Sequence, residues 1–167
     1  MTAPKPPCVI LDRPQLAENI GAVARVMANF GLEDLRLVAP RDGWPQERAW
    51  PSASGADWPL DNARVFATVS EAIADLKLVY ATTARNRGMQ LPVLNPRQAA
   101  ASIVDHGDLP CGLLFGAERA GLETTDIALT QGIITIPIDA RFKSLNLAQA
   151  VALNAYEWKM AVDAAPP

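Results

Sequence analysis

The sequence predicts an α/β fold with a mostly parallel sheet of five or six strands and helices on both faces. First, apolar runs of strand length alternate with helical patterns along all 167 residues. Second, these runs are apolar throughout, which is typical of strands covered on both faces of a parallel sheet. Third, 50% of the residues are hydrophobic and 20% are charged, so a chain of this length can bury one sizeable core. We therefore expect one domain over residues 1–167.

The first predicted unit is a strand, a helix and a second strand. Prolines flank the apolar run 8–12, which predicts a buried strand. Apolar residues then recur at helical spacing over residues 19–30, where Asn19 can cap the helix and Gly31 can end it. A strand at 35–39 completes a β-α-β unit, whose crossover we expect to be right-handed.

The later elements alternate in the same way. Residues 40–62 are rich in Pro and Trp and predict a loop with one short helix at 46–56. The next expected elements are a strand at 64–68, a short helix at 70–75 opened by Ser70, a strand at 76–83, a helix at 96–104 capped by Asn95, a strand at 111–116, a short helix from Thr124 or Thr125 to 131, and a strand at 132–138. The closing helix at 147–162 is apolar on nearly every face, so we expect its own domain or a second subunit to cover it.

Charge and apolar patterns disfavour several classes of protein. The chain has 15 basic and 18 acidic residues and a net charge of -3, which argues against binding nucleic acid by bulk charge alone. No apolar run approaches the roughly 18 residues of a membrane span, and residues 1–7 lack a signal-peptide core, so we expect a cytoplasmic protein. Cys8 and Cys111 begin apolar runs and have no His at ligand spacing, which favours buried free thiols over a metal site or a disulfide.

Polar loops beside predicted strands form the candidate site. Ser144 and Asn146 place a hydroxyl and a carboxamide between a strand and a buried helix, an arrangement that suits either gripping a small ligand or capping the helix. The polar turn at 82–88 follows another strand, at the sheet edge where open α/β sheets bind ligands. Gly116 ends a third strand, and its missing Cβ either lets the backbone approach a ligand or merely serves a turn.

Three separated segments resemble a known family of enzymes. They are 19–25 (NIGAVAR), 115–122 (FGAERAGL) and 144–148 (SLNLA), and in order and spacing they look like the motifs of SPOUT superfamily RNA methyltransferases of the TrmH-like branch. The resemblance extends over residues 9–161, and segments 82–85 and 155–157 are most similar to the TrmJ family in that branch. It implies an S-adenosylmethionine-dependent 2'-O-methyltransferase acting on the ribose of the first anticodon-loop nucleotide of tRNA. It also implies a deep C-terminal trefoil knot (the alpha-beta knot) and a homodimer with the active site near the subunit interface.

The resemblance also implies which residues form the site. The catalytic set is Asn19, Arg25, Glu118, Ser144 and Asn146. The set that contacts S-adenosylmethionine, or the product S-adenosylhomocysteine, is Thr82, Thr83, Ala84, Gly116, Ile136, Ile138, Lys143, Ser144, Leu145 and Asn146. The set that contacts RNA is Arg13, Arg25, Arg85, Arg87, Arg119, Arg141 and Lys143. In the family Arg25 is proposed to deprotonate the 2'-hydroxyl, but a guanidinium that stays charged at neutral pH is better suited to stabilising a developing alkoxide or a nearby phosphate. The transfer needs no metal.

Other readings of the sequence compete with this one. The first alternative is a 2'-O-methyltransferase whose substrate is ribosomal RNA or another position of tRNA. A non-catalytic RNA-binding dimer module with the same fold is an alternative of another class. A dehydrogenase is disfavoured because residues 12–21 lack the G-x-G-x-x-G phosphate fingerprint.

Overall fold

The computed structural model of this chain describes residues 4–83, 90–118 and 121–164. In these ranges the strands are β1 (Cys8–Asp12), β2 (Leu35–Val38), β3 (Arg64–Phe66), β4 (Leu78–Thr82), β5 (Val93–Leu94), β6 (Cys111–Phe115) and β7 (Gly132–Ile134). The helices are α1 (Ala17–Phe30), α2 (Ala49–Ala53), α3 (Trp58–Asp61), α4 (Val69–Ala72), α5 (Pro96–Asp105), α6 (Thr124–Ile127) and α7 (Leu147–Ala164).

The described strands form one seven-stranded sheet in the order β3-β2-β1-β6-β4-β7-β5, and every neighbouring pair is parallel. The α/β class with a parallel sheet is therefore confirmed. The expected count of five or six is too low, because β5 has only two residues and leaves no periodic pattern to detect. The last predicted strand, 132–138, ends at Ile134 in the structure, and Pro137 cannot donate a ladder hydrogen bond. The trefoil knot remains a prediction.

Two hydrophobic clusters cover the two faces of the sheet. In β1, Val9 and Leu11 contact the cluster formed with α1, α2, α5 and α7, whereas Ile10 contacts the cluster formed with α4 and α6. This alternation along the strand places one residue on each face in turn. The expected helices on both faces are thus confirmed.

The helix caps differ from the prediction in two places. The N-cap of α1 is Leu16, with extended backbone and no capping side chain, so Asn19 lies inside the first turn and the predicted Asn19 cap is wrong. The N-cap of α4 is Thr68, whose side chain accepts from the backbone N–H of Glu71, so Ser70 does not open that helix. Gly31 ends α1 with a φ of 76°, as the left-handed C-terminal position favours.

The remaining helices follow the predicted order with shifted boundaries. The short helix expected at 46–56 is present as the shorter α2, and α3 follows as a second helix that was not predicted. The helix expected to reach residue 131 ends at Ile127. Asn95 caps α5 through a reciprocal capping box with Gln98, as predicted. Among the described residues, no helix combines the length and the apolar character needed to cross a bilayer.

Arg36 is a buried cation in β2 that pattern reading does not predict. Its guanidinium donates to Asp34, to Asp75 and to the carbonyl of Ala72, and only 3% of its side chain is exposed. Cys8 donates its thiol to Asp34 at 3.0 Å, and burial, followed by Asp34, raises the pKa of Cys8 to about 12. Cys8 and Cys111 are both buried free thiols, as predicted, and burial raises the pKa of Cys111 as well, which disfavours the reactive thiolate form of both.

Candidate active site

A cavity of about 590 Å³ opens beyond the carboxyl ends of β4, β6 and β7, where the first turns of α1 and α7 also meet. Its lining is Asn19, Thr82, Thr83, Phe115, Gly116, Ala117, Glu118, Gly121, Leu122, Ile136, Ile138, Phe142, Lys143, Ser144, Leu145, Asn146, Leu147, Gln149 and Ala150. The position is the usual ligand site of open parallel sheets, and the size is that of a small-molecule pocket.

Most of the predicted site residues meet in this cavity. The predicted residues along its wall are Thr82, Thr83, Gly116, Ile136, Ile138, Lys143, Ser144, Leu145, Asn146, Asn19 and Glu118. Arg13, Arg25 and Arg141 do not line it. Four predicted residues, Ala84, Arg85, Arg87 and Arg119, lie outside the described part of the chain. The structure thus groups the residues, and the role of each one stays a prediction.

Glu118 joins the loop after β6 to the start of α1. Its carboxylate accepts hydrogen bonds from the backbone N–H groups of Gln15 (3.2 Å) and Leu16 (3.0 Å) and from the side-chain amide of Asn19 (3.0 Å). Burial raises the pKa of Glu118, but the hydrogen bonds from Leu16, Asn19 and Gln15 outweigh burial and hold it below the ordinary value of 4.5. Glu118 is therefore a fixed acceptor and is poorly suited to carrying a proton at neutral pH.

Asn146 caps the helix that forms one side of the cavity. Its side-chain oxygen accepts from the backbone N–H groups of Ala148 (2.8 Å) and Gln149 (3.3 Å), while Gln149 accepts from the backbone N–H of Asn146 (3.3 Å). This is a capping box. It occupies the oxygen of the Asn146 side chain, and among the described residues no hydrogen bond from its NH₂ group is seen.

Gly116 is required by the loop itself. A Cβ on this residue would collide with the backbone of Gly121 and would lie 2.6 Å from the amide nitrogen of Leu122. The collision arises because Ala117 and Gly121 form an antiparallel bridge that folds the loop back on Gly116. Of the two reasons expected for this glycine, the structure supports the turn, because a Cβ would clash with the chain itself.

Arg25 lies on α1 six residues after Asn19, and six residues advance a helix by about 9 Å and turn it by about 240°. Its guanidinium is exposed and donates to the hydroxyl of Ser54 at 3.4 Å. Asn19 lines the cavity and Arg25 does not. Within one chain, Arg25 is therefore separated from the predicted site.

The predicted RNA-binding cations differ in how far they are already neutralised. Arg13 forms ion pairs with Asp12 (3.2 Å) and Glu123 (3.0 Å). Arg141 binds the carboxylate of Asp139 through both its Nε and Nη2 atoms. In the described ranges Lys143 has no ion pair, and neither does Arg25. These two residues therefore offer the less compensated positive charge.

The prediction missed eight residues of the lining. They are Phe115, Ala117, Gly121, Leu122, Phe142, Leu147, Gln149 and Ala150. Most lie inside or directly beside the three motif segments, and the spacing of Asn146 and Gln149 is itself a capping-box signal. Phe142 has no such signal. Within the described ranges, no three His, Cys, Asp or Glu side chains are grouped closely enough to hold a metal ion.

Comparisons with known proteins identify the family of this chain. The model of the SpoU rRNA Methylase family matches residues 6–156. A relative from Pseudomonas aeruginosa (strain UCBPP-PA14), named tRNA (cytidine/uridine/adenosine-2'-O-)-methyltransferase TrmJ, is 41% identical over 155 residues, which cover 92% of this chain and 60% of that protein. This chain spans about three fifths of the length of such curated relatives.

Solved structures show the same fold. The crystal structure of TrmJ from Z. mobilis ZM4 has a TM-score of 0.90 and 59% identity, covering 98% of this chain and 72% of that one. The SpoU methyltransferase AviRb from Streptomyces viridochromogenes, solved with the cofactor AdoMet, has a TM-score of 0.74 at 22% identity, covering 95% of this chain and 58% of that one. The resemblance drawn from the three motifs is confirmed, and the chain belongs to the SpoU rRNA methylase family.

Proposed function

We propose that this chain is an S-adenosylmethionine-dependent RNA 2'-O-methyltransferase that acts on tRNA, at the first nucleotide of the anticodon loop, from a single domain. The observation that carries the proposal is the cavity itself, because segments 19–25, 115–122 and 144–148 all contribute to its wall. Family membership and the tRNA methyltransferase activity named for a 41% identical relative support it.

The cavity fits a cofactor that has polar and apolar parts. The hydroxyl of Thr82 is buried and has no hydrogen-bond partner among the described residues, and such an orphaned group in a cavity wall suits a polar ligand. Ile136, Ile138 and Leu145 would provide the apolar side, and Lys143 would provide a cation. When bound, S-adenosylmethionine supplies an electrophilic methyl group for direct displacement.

The residues of the chain then have to align and stabilise the ribose. Glu118 fixes the start of α1 and the amide of Asn19, so that the Asn19 side chain keeps one orientation at the cavity wall. Ser144 is exposed at the same wall and has no hydrogen bond to any described residue, which leaves its hydroxyl available to the sugar. The ribose 2'-oxygen would take the methyl group as the methyl–sulfur bond breaks, S-adenosylhomocysteine would leave, and the hydroxyl proton would pass to solvent water. Arg25 would supply the permanent positive charge that lowers the energy of the developing alkoxide.

The function of Arg25 requires a second copy of the chain. Arg25 is exposed and does not line the cavity of its own chain, so we propose a homodimer in which each site receives it across the interface. The outer face of α7 supports this assembly, because Leu153, Tyr156 and Met160 lie on one side of the helix and are each 42–52% exposed. Such an apolar stripe is a typical protein contact surface.

Two further aspects of the proposal follow from the substrate. Lys143, together with the other predicted cations, would contact RNA phosphates without reading sequence. Modification of tRNA, as named for the bacterial relatives, takes place in the cytoplasm, and we propose that location for this protein. Ribosomal RNA is the second candidate substrate, because the family description names rRNA methylation.

The test is methyl transfer by the purified chain from labelled S-adenosylmethionine to tRNA and rRNA transcripts, followed by nucleoside analysis. We expect 2'-O-methylated nucleosides from tRNA.

Arg25→Ala should abolish the label while S-adenosylhomocysteine affinity stays within about threefold, since a residue acting only on the transition state does not change ground-state binding. Arg48→Ala is the matched control, because Arg48 is equally charged and highly exposed but lies outside the predicted site. Methyl groups on bases, or full turnover by Arg25→Ala, would contradict the proposal.

A further inference from the structure

Phe142 is the most exposed large hydrophobic side chain in the described part of the chain, with 74% of its surface accessible. It lies in the segment between β7 and α7 and lines the cavity. A single exposed apolar side chain is common on protein surfaces, but aromatic side chains that line a cavity are typical ligand contacts. The position of Phe142 at the cavity, together with its exposure, makes it a candidate ligand contact.

Local hydrogen bonds hold the Phe142 backbone in place. The backbone N–H of Phe142 donates to the carbonyl of Asp139 at 3.0 Å. The carboxylate of Asp139 in turn accepts from the backbone N–H of Arg141 (2.8 Å) and from its guanidinium. The turn 139–142 is thus closed by its own polar groups, and the ring projects from a defined backbone instead of an unconstrained loop.

The neighbours of Phe142 suit a nucleotide. Lys143 follows it directly, is exposed and has no ion pair in the described ranges, and Ser144 comes next on the same cavity wall. An aromatic face next to an ammonium group matches a base that stacks and a phosphate that pairs with the cation. Arg141 is different, because Asp139 already holds its guanidinium.

The exposure of Phe142 favours an RNA base over the cofactor as its ligand. The more sheltered apolar residues of the wall are Ile136 and Leu145, which are both partly buried and suit an enclosed group. A ring that is three-quarters exposed can be reached by a ligand that arrives from solution. A base stacked on it would keep its other face in contact with water. Single-stranded nucleotides bind aromatic side chains in this manner.

We propose that Phe142 is the stacking surface for the base of the nucleotide whose ribose is methylated. This inference rests on the proposed function and adds to it a prediction about which bases the site accepts. Because every base has a π face, stacking on Phe142 helps purines and pyrimidines alike. The ring therefore increases affinity for an unpaired nucleotide without choosing which base it carries.

The test compares Phe142→Leu, which keeps apolar bulk but removes the ring, with Phe142→Tyr, which keeps the ring. Steady-state methyl transfer to tRNA should show KM raised about tenfold in Phe142→Leu, for transcripts with either a purine or a pyrimidine at the target, and near the wild-type value in Phe142→Tyr. S-adenosylhomocysteine affinity, measured by titration calorimetry, should stay within about twofold of wild type in both variants.

A second readout does not depend on turnover. An oligonucleotide with 2-aminopurine at the target position should lose fluorescence on binding wild type and Phe142→Tyr, because stacking quenches it, and lose much less on binding Phe142→Leu. Unchanged KM and quenching in Phe142→Leu would overturn the inference. So would a parallel loss of S-adenosylhomocysteine affinity, which would assign the ring to the cofactor, or a change in oligomeric mass, which would assign it to a subunit contact.

Failure of the proposed function gives a different result. If the wild-type chain binds the oligonucleotide but methylates neither tRNA nor rRNA, the proposed function falls, and the quenching difference between Phe142→Leu and Phe142→Tyr then decides only whether the ring stacks on a bound base. If the wild-type chain binds no RNA, both proposals fall.

Discussion

Glu118 belongs to the predicted catalytic set, but the contacts that its carboxylate makes in the structure hold the chain in place. Its oxygens accept from the backbone N–H groups of Gln15 and Leu16, just ahead of α1, and from the side-chain amide of Asn19. Replacing a carboxylate that accepts from this many N–H groups lowers stability, because each donor left without an acceptor loses a hydrogen bond. Glu118 therefore holds in place both the start of α1 and the Asn19 side chain at the cavity wall.

Glu118→Gln should lower the free energy of unfolding by about 1–2 kcal/mol at pH 7, because the amide NH₂ replaces one acceptor beside N–H donors. The folded-state pKa of Glu118 is below its ordinary value of 4.5, so its stabilisation is present above that value and is lost as pH falls through the lower folded pKa. Denaturant unfolding of both proteins between pH 7 and pH 3 should show the difference shrinking in acid.

Glu123→Gln is the control for Glu118→Gln, since Glu123 lies on the same loop and makes one exposed ion pair with Arg13. Exposed pairs contribute about 0–1 kcal/mol, so this variant should unfold nearly as the wild type does. A Glu118→Gln protein with wild-type stability at pH 7 would show that the contacts around the carboxylate contribute little.

Lys143 and Arg141 are close in sequence but differ in free charge. Lys143→Ala should reduce the slope of log Kd against log salt for tRNA binding by about one, whereas Arg141→Ala should reduce it by clearly less, since Asp139 already pairs with that guanidinium. Fluorescence anisotropy over a salt series measures both slopes. Equal slopes for the two variants would mean that the Asp139 pair opens when RNA binds.

Asn146 shows at the scale of an element why a motif residue can have two roles. Its side-chain oxygen caps α7, and its amide group remains at the cavity wall. Asn146→Asp keeps the capping oxygen and removes the NH₂ donor, so unfolding should stay near wild type while methyl transfer falls at least about tenfold. Asn146→Ala should lose both activity and about 1 kcal/mol of stability.

Asn95 provides the matched control for Asn146, because it caps α5 with the same capping box, through Gln98, away from the cavity. Asn95→Ala should lose comparable stability without loss of specific activity, and Asn95→Asp should lose neither. If Asn146→Asp turns over as fast as wild type, Asn146 is a cap only. Denaturant melts and initial rates on the four variants separate the two roles.

Helices and strands differ in how well the sequence reveals them. The Asn95 cap of α5 and the glycine after α1 are local signals, and both were predicted correctly. The Asn19 cap was wrong because Glu118, 99 residues later, provides acceptors that no local pattern contains. Strand β5 was missed because two residues are too few to show an alternating apolar pattern. The strand exists through its pairing with β7, a contact that the local sequence does not reveal.

At the scale of the whole molecule, the sequence places the motif segments in one cavity but says little about charge. The pairing of Arg13 with Asp12 and Glu123, like that of Arg36 with two aspartates, depends on contacts between distant or adjacent elements that composition does not reveal. The exposure of Phe142 depends equally on how the loop folds. Motifs thus locate the site, and only the packed chain shows which of its groups are still free to bind.

Mixing two inactive variants, Arg25→Ala and Asn146→Ala, should restore methyl transfer if each site takes Arg25 from the partner subunit. In a mixed dimer one site then has both residues and the other has neither, so random exchange should give about one quarter of the wild-type rate. Adding Leu153→Glu to both variants should abolish the rescue, because it charges the outer face of α7, whereas Leu109→Glu should not. These two leucines are similarly exposed, 42% and 40%, and Leu109 lies in a bend outside α7. Absence of rescue in a mixture shown to exchange subunits would mean that Arg25 does not act across the dimer.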